Sequence, residues 1–127
     1  MSKQQDIIIA ALDNAIKNDI KISFNGCLFD YSDGNYDKPL RCNALGAILF
    51  MHNMHNLVGK DGFSKDWTDV LCKILDVDQF WRHRFTLGFD YGHQITFDHE
   101  KDGKTVHTDN DDISKLGIKI AKIYKGK

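Results

Sequence analysis

The sequence predicts an α+β fold: a single small domain in which two β-hairpins form a small antiparallel sheet, packed on a central buried helix with three or four further helices. Three observations support this class. Apolar residues recur at helical spacing in several segments and alternate at strand spacing in two others. The longest apolar run, Ala44 to Met51, lies near the middle of the chain. A length of 127 residues with 42% hydrophobic content suits one globular domain spanning 1–127.

Charge and cysteine content restrict the functional classes. The net charge is -1, from 17 basic and 18 acidic residues, so no overall field attracts the chain to nucleic acid or to an anionic membrane. Three widely spaced cysteines (Cys27, Cys42 and Cys72) form no CxxC pair, which argues against a disulfide framework or a zinc ribbon. No segment has the ~20 apolar residues of a membrane span, and the apolar run near the N-terminus is too short for a signal peptide. These features predict a cytoplasmic protein.

The first quarter of the chain predicts a helix followed by a hairpin. Apolar residues at helical spacing indicate a helix over 4–18. Alternation over 20–24 then indicates a strand, and Asn25-Gly26 is the strongest short signal for a hairpin turn. Residues 27–31 are expected to return as the partner strand.

A central helix is predicted over roughly 41–56. Its apolar residues form two stripes, and a helix that is apolar most of the way round is buried on more than one side. Gly46 lowers the helix propensity by up to ~1 kcal/mol, so we expect a packing reason for it. The prediction is that Gly46 allows another element to approach closely.

The second half of the chain predicts two further helices, a hairpin and a last helix. Ser64 is placed to cap the third helix, and Asp76 or Asp78 to begin a fourth that ends near Gly88. Asp102-Gly103 predicts a second hairpin turn. The last helix is expected over 111–124. Its predicted apolar face is Ile113, Leu116, Ile120 and Ile123.

His52 and His55 are the candidate metal ligands. On the predicted central helix they stand three residues apart, so their side chains would be neighbours able to share one ion. Cys42 or other histidines could complete a site for zinc or another divalent metal. The pair lacks the glutamate of an HExxH motif. The simpler interpretation is that His52 ends an apolar stripe with a hydrogen-bonded ring and that His55 is exposed.

A dense aromatic and arginine segment over 80–91 is the candidate partner-binding surface. One short helix cannot direct all of its rings into one core, and Trp, Tyr and Arg are the residues that anchor protein interfaces. Core packing is the competing explanation for the rings. The predicted contact residues are Trp81, Arg82, Arg84, Phe89 and Tyr91.

Two further patterns have simpler explanations. Asp98 to Asp109 partly fits the positions of a calcium-binding loop, but the strand-like alternation before it favours a hairpin tip. Lysines after residue 114 could contact phosphates, but arginines are absent there and Tyr124 is the only aromatic residue. A solvated helix face explains these lysines better, and nucleic acid is not the expected partner.

The segment Cys42-Asn43-Ala44-Leu45-Gly46-Ala47 resembles a C-x-x-x-G-A helix found in a loose group of small bacterial and phage proteins of uncharacterised function. In that group an N-terminal helix and a short hairpin precede this helix. An aspartate-bearing turn, here Phe89-Asp90-Tyr91-Gly92, and a C-terminal helix follow. The resemblance covers about half of the chain and implies no established activity and no catalytic residues. It implies a small accessory protein that acts by binding another protein.

The expected function is therefore that of a small cytoplasmic, non-enzymatic protein-binding module, such as a phage-encoded inhibitor or modulator of a larger host protein, with no cofactor. The sequence contains no GxSxG motif, no P-loop and no GxGxxG motif. The alternative is a metal-dependent hydrolase or nuclease that uses His52 and His55.

Overall fold

The structure is a computed structural model that describes residues 2–26, 28–31, 38–55, 65–93, 97–101, 103–108 and 112–126. Five helices and a small mixed sheet in this part of the chain confirm the predicted α+β class. The chain divides into two compact units, Met1–Gln79 and Phe80–Lys127, and each is described by itself. A single domain over 1–127 stays a prediction. No helix within the described ranges is both long enough and apolar enough to cross a membrane.

The first unit begins with a helix that closely matches the predicted one. Its side chains of Ile8, Ala11 and Leu12 are fully buried. The Ser2 hydroxyl accepts a hydrogen bond from the Gln5 amide at 3.2 Å, which caps the helix start. In chain order the elements of this unit are α1 (Lys3–Lys17), β1 (Lys21–Ile22), β2 (Phe29–Asp30), β3 (Arg41–Cys42), α2 (Ala44–Met51) and α3 (Lys65–Leu75).

The predicted first hairpin is wrong, because β3 lies between β1 and β2. β3 runs parallel to β1 and antiparallel to β2. Ser23 donates its amide to the Cys42 carbonyl at 2.8 Å on one side, and Asn43 donates to the Leu28 carbonyl at 3.2 Å on the other. The inserted strand thus satisfies backbone groups along both of its edges. Gly26 does adopt a positive φ of 86°, but the turn around it does not join two paired strands.

Helix α2 is shorter than predicted at both ends. Asn43 is its N-cap and accepts a hydrogen bond from the Gly46 amide at 2.8 Å. Every residue from Ala44 to Leu49 is buried, which confirms that this helix is covered on more than one side. A Cβ atom at Gly46 would collide with the Leu28 carbonyl oxygen and lie 3.0 Å from Cys42 Cβ. The predicted close approach at Gly46 is therefore confirmed.

The helices of the first unit share one kind of C-terminus. Asp19, Asn53 and Asp76 adopt positive φ angles of 62°, 59° and 59° just after α1, α2 and α3. In each case the amide of the next residue donates a hydrogen bond to the carbonyl oxygen five residues before it, as in a Schellman motif. These bonds are Ile20 N to Ala15 O at 2.9 Å, Met54 N to Leu49 O at 2.8 Å and Val77 N to Cys72 O at 3.0 Å. Asp76 thus ends α3 and does not begin the next helix. The start predicted at Ser64 lies outside the described residues.

The second unit contains two long helices and a hairpin. The hairpin is confirmed: β4 and β5 pair antiparallel, with Phe97 opposite Thr108, and Gly103 adopts a φ of 75° at the turn. These two strands form a sheet of their own, so the prediction of one sheet built from both hairpins is wrong. The elements are α4 (Gln79–Tyr91), which begins one residue before the unit boundary, β4 (Phe97–Lys101), β5 (Lys104–Thr108) and α5 (Asp112–Lys125).

Helices α4 and α5 touch backbone to backbone at small residues. A Cβ atom at Gly88 would collide with the Ser114 carbonyl oxygen, and one at Gly117 would lie 2.7 Å from both Phe85 O and Phe89 N. Gly88 is therefore a buried contact inside α4, and its predicted role as a helix stop is wrong. The helix continues to Tyr91, and the following Gly92 has a φ of 67°.

This crossing also changes the predicted face of α5. Ile120 is buried as expected, but Ile123 is 45% exposed. Small residues decide the difference, because they let the two backbones approach where larger apolar side chains would hold them apart. The buried residues of α5 are Ser114, Gly117, Ile120, Ala121 and Tyr124.

Candidate partner-binding surface

One side of α4 presents two exposed aromatic rings and a partly exposed arginine. Residues that recur at intervals of four, three and four lie on one side of a helix, since each residue advances the direction by about 100°. Phe80 is 55% exposed and Tyr91 is 54% exposed at the two ends of such a row. Arg84 and Leu87, both partly exposed, lie between them. We call Phe80, Arg84, Leu87 and Tyr91 the α4 stripe.

A second row of α4, with residues four apart, holds a stack of three aromatic rings. The Trp81 and Phe85 rings are 5.5 Å apart at an interplanar angle of 7°, and the Phe85 and Phe89 rings are 5.7 Å apart at 20°. Phe85 and Phe89 are buried, with exposed fractions of 0% and 1%. The burial of Phe85 and Phe89 sets which side of α4 faces the core, so the stripe on the exposed side has a fixed outward direction.

Arg84 covers the exposed ring of Phe80. The guanidinium carbon lies 5.0 Å from the ring centroid, which is within the range of a cation–π contact. Such a contact at an exposed position is worth about 0.5–1 kcal/mol. The two side chains therefore restrain each other and present a preorganised aromatic–arginine pair.

The C-terminal end of the stripe carries a second pair of rings. Tyr91 and His93 have ring centroids 6.3 Å apart at an angle of 40°. Gly92 between them is exposed and has the positive φ that ends the helix. The exposed aromatic surface thus continues past the last residue of α4.

The predicted contact residues divide into separate groups in the structure. Arg84 and Tyr91 lie together on the stripe. Trp81 is partly exposed at the outer end of the ring stack. Arg82 follows Phe80 by two residues, about 200° around the helix, and so lies on the other side. Phe89 is buried in the core, so its predicted role as a contact residue is wrong.

The prediction omitted two members of the stripe. Phe80 and Leu87 complete the four-three-four spacing with Arg84 and Tyr91. That spacing is visible in the sequence. It is hidden there by the neighbouring Trp81, Phe85 and Phe89, whose rings are equally large and apolar but stack on one another. This stacking and the burial of Phe85 and Phe89 distinguish the two sets.

The histidine pair does not have the geometry predicted for it. α2 ends at Met51, and His52 is the exposed C-cap with φ −96° and ψ 11°. Asn53 then turns the chain through a positive φ, so His55 is not a helical neighbour of His52. The His55 ring is partly buried, 5.3 Å from the Phe50 ring centroid. Across the described ranges, no group of three or more His, Cys, Asp or Glu residues is placed to hold a metal ion.

Cys42 is a poor candidate for a further metal ligand. It is fully buried in β3, and burial raises the pKa of its thiol from 9.0 to about 12. Burial also raises the pKa of Tyr31, with Cys42 as a second cause. Because the thiolate is the form that binds metals and attacks substrates, the protonated Cys42 thiol is poorly suited to either role near neutral pH. Cys72 is likewise buried and reduced, as the sequence predicts, while Cys27 lies outside the described residues.

Comparison with known proteins adds no relative: no family model, curated protein or solved structure matches this chain. The α4 stripe and its supporting ring stack are therefore the basis for a functional assignment.

Proposed function

We propose that this protein is a small cytoplasmic, non-enzymatic module that binds another protein through the α4 stripe and acts as an inhibitor or modulator of that protein. The observation that carries the proposal is the exposed Phe80 ring held beneath Arg84 on a row that ends at exposed Tyr91. Aromatic residues and arginine dominate the binding energy of protein interfaces. A phage or bacterial accessory protein of the kind that the Cys42–Ala47 segment resembles would act in this way.

The stripe contributes little to folding, which supports a role in binding. More than half of the Phe80 and Tyr91 side chains is in contact with water, so each gives the core only a fraction of its apolar area. The fold already has Phe85 and Phe89 on the inner rows of the same helix. Large exposed rings that the core does not use are typical of contact surfaces.

The support beneath the stripe favours tight binding. Association costs free energy for each flexible side chain that becomes ordered. Phe80 and Arg84 already restrain each other, and the buried rings of Phe85 and Phe89 anchor the helix that carries them. A partner therefore meets a surface that needs little further ordering.

The test is capture of a partner from a lysate of the native host. We expect the wild-type protein to capture one, and a Phe80→Ala, Arg84→Ala double variant to lose it while folding normally by circular dichroism. The matched control is Leu40→Ala, which removes a side chain that is 50% exposed in the first unit. Retention of the partner by the double variant would show that the α4 stripe is not the contact surface.

A photo-crosslinking experiment locates the contact directly. Benzoylphenylalanine in place of Phe80 should form a covalent adduct with the captured partner under ultraviolet light. The same group in place of Leu40 should form none. Equal crosslinking from both positions would contradict a specific surface on α4.

A further inference from the structure

The Asn25-Gly26 turn is a feature of the first unit that the sheet does not explain. Both residues are exposed, and Gly26 adopts a φ of 86°. The turn does not join two paired strands, because β3 lies between β1 and β2. Asn25 is also the only asparagine of the chain that precedes a glycine. This pair of residues points to the chemistry of the asparagine side chain.

An asparagine followed by glycine can react with its own backbone. The amide nitrogen of Gly26 attacks the side-chain carbonyl carbon of Asn25, and a new carbon–nitrogen bond closes a five-membered succinimide ring. The side-chain nitrogen leaves as ammonia and takes the proton that the Gly26 amide gives up. Glycine favours the attack because it has no Cβ atom to crowd the amide nitrogen and because its backbone is the most flexible.

Water completes the reaction by opening the ring at either of its two carbonyl carbons. One opening yields aspartate, and the other yields isoaspartate, in which the main chain runs through the side-chain carbon. The exposure of Asn25 and Gly26 gives water access to the ring. The overall change consumes one water molecule, releases ammonia and replaces a neutral amide with a carboxylate that is ionised near neutral pH.

Two other asparagines of the first unit are held in ways that oppose this reaction. At Asn53 the amide that would attack belongs to Met54, and it donates a hydrogen bond to the Leu49 carbonyl oxygen at 2.8 Å. Asn43 is buried, and its side-chain oxygen accepts a hydrogen bond from the Gly46 amide at 2.8 Å. The fold thus adds to the preference for position 25 that the following glycine sets.

Asn25 lines a small surface pocket that contains a charged pair. The pocket has a volume of about 80 Å³, and its other lining residues are Ser23, Phe29, Asp30 and Arg41. Arg41 Nε lies 4.0 Å from Asp30 Oδ2, and both side chains are more than half exposed. A carboxylate at position 25 would add a second acid to a pocket whose described lining has one arginine.

We propose that Asn25 is a site of spontaneous deamidation, through a succinimide formed with Gly26, and that the reaction makes the pocket beside Arg41 more negatively charged as the protein ages. The modification needs only water and involves no change of oxidation state. It lies in the first unit and the α4 stripe lies in the second, so each can be tested without the other.

Mass spectrometry of the aged protein tests the proposal. The folded full-length chain is kept for several days in warm, mildly alkaline buffer and is then cleaved with trypsin, which releases residues 22–41 as one peptide. We expect this peptide to gain about one dalton at Asn25 and to separate into aspartate and isoaspartate forms. A sample digested without ageing corrects for any change during cleavage.

Asn53 is the internal control, because it is exposed but is followed by Met54. Conversion of Asn25 should be at least about tenfold faster than conversion of Asn53, since the glycine and the exposed turn favour the attack. Equal rates at the two sites would overturn the proposal. So would an Asn25 that stays unchanged in the folded chain under conditions that convert it in urea.

Isoelectric focusing tests the change of charge. Aged wild-type protein should give a new band on the acidic side, at the position of an Asn25→Asp variant. An aged Asn25→Ser variant should lack this band, and circular dichroism checks that both variants fold. An acidic band of equal strength from aged Asn25→Ser would show that another residue is modified, and it would overturn the proposal.

Discussion

Helices α2 and α4 meet their surroundings in opposite ways. α2 is apolar from Ala44 to Met51 and is buried at every position up to Leu49. α4 buries one set of rings and exposes Phe80 and Tyr91, with arginines among them. A helix that is apolar all round has no side left for solvent, whereas a two-faced helix must leave one side open. The comparison teaches that the most hydrophobic helix is the scaffold here, and that the less hydrophobic one offers a surface.

Truncation inside each helix is the most direct test of this difference. Ile48 in α2 is fully buried, so Ile48→Ala should lower the free energy of unfolding by roughly 2 to 5 kcal/mol through lost transfer energy and a residual cavity. Phe80→Ala removes a larger side chain from α4, yet it should cost at most about 1 kcal/mol, mainly the contact with Arg84. Urea titrations of both variants give the two values. Equal losses would mean that Phe80 belongs to the core.

Glycine allows close backbone contact in both units. A substitution at the contact between α4 and α5 tests how rigid that contact is. Gly88→Ala would place its methyl group 2.8 Å from the Ser114 carbonyl carbon. A backbone cannot move aside as a side-chain tip can, so we expect a loss of about 3 kcal/mol in the free energy of unfolding.

Gly126→Ala is the matched control, because a Cβ atom at Gly126 meets nothing within 4 Å. It should change the free energy of unfolding by less than about 0.5 kcal/mol. If Gly88→Ala were as mild as this control, the close crossing of the two helices would be incorrect.

Alkaline pH tests how much stability the first unit loses when the unfolded chain can ionise Cys42 and the folded core keeps it protonated. The folded pKa of Cys42 is raised from 9.0 to about 12, so the folded chain keeps this proton in a range where the unfolded chain releases it. Stability is therefore unaffected by this group below pH 9 and falls as pH rises from about 9 towards about 12, with a loss of about 2 kcal/mol near pH 10.5.

Cys42→Ala provides the comparison for that pH dependence. Its stability should be lower at neutral pH because of the cavity, but it should fall less steeply above pH 9 in urea titrations. A smaller decline should remain at higher pH, since the pKa of Tyr31 is also raised. Parallel declines in wild type and variant would show that another group controls alkaline stability.

The smallest effect is expected at the end of α2, where the buried scaffold meets solvent. His52 is exposed, so His52→Ala should change the free energy of unfolding by less than about 0.5 kcal/mol. Elemental analysis of protein purified without a metal-affinity tag should give the same metal content for wild type and variant. Stoichiometric zinc or manganese that disappears in His52→Ala would instead support the metal-dependent hydrolase or nuclease.

Some features of this protein are determined by the sequence alone, because their signals are local. The period of apolar residues predicts α1 and α5 to within one or two residues, and alternation with Asp102-Gly103 predicts the β4–β5 hairpin. A glycine within an apolar helix predicts the close approach at Gly46. Each depends on residues a few positions apart in the chain.

Other features were decided by tertiary structure, because their causes are distant in sequence. β3 is only two residues long and shows no alternation, so nothing near Asn25-Gly26 reveals that it separates β1 from β2. In the sequence, Gly88 could either end a helix or allow a close contact. The structure shows the close contact, because the backbone of Ser114 in α5 packs directly against Gly88. The same holds for the candidate surface: Phe80 and Phe89 have the same side chain, and only packing buries one and exposes the other.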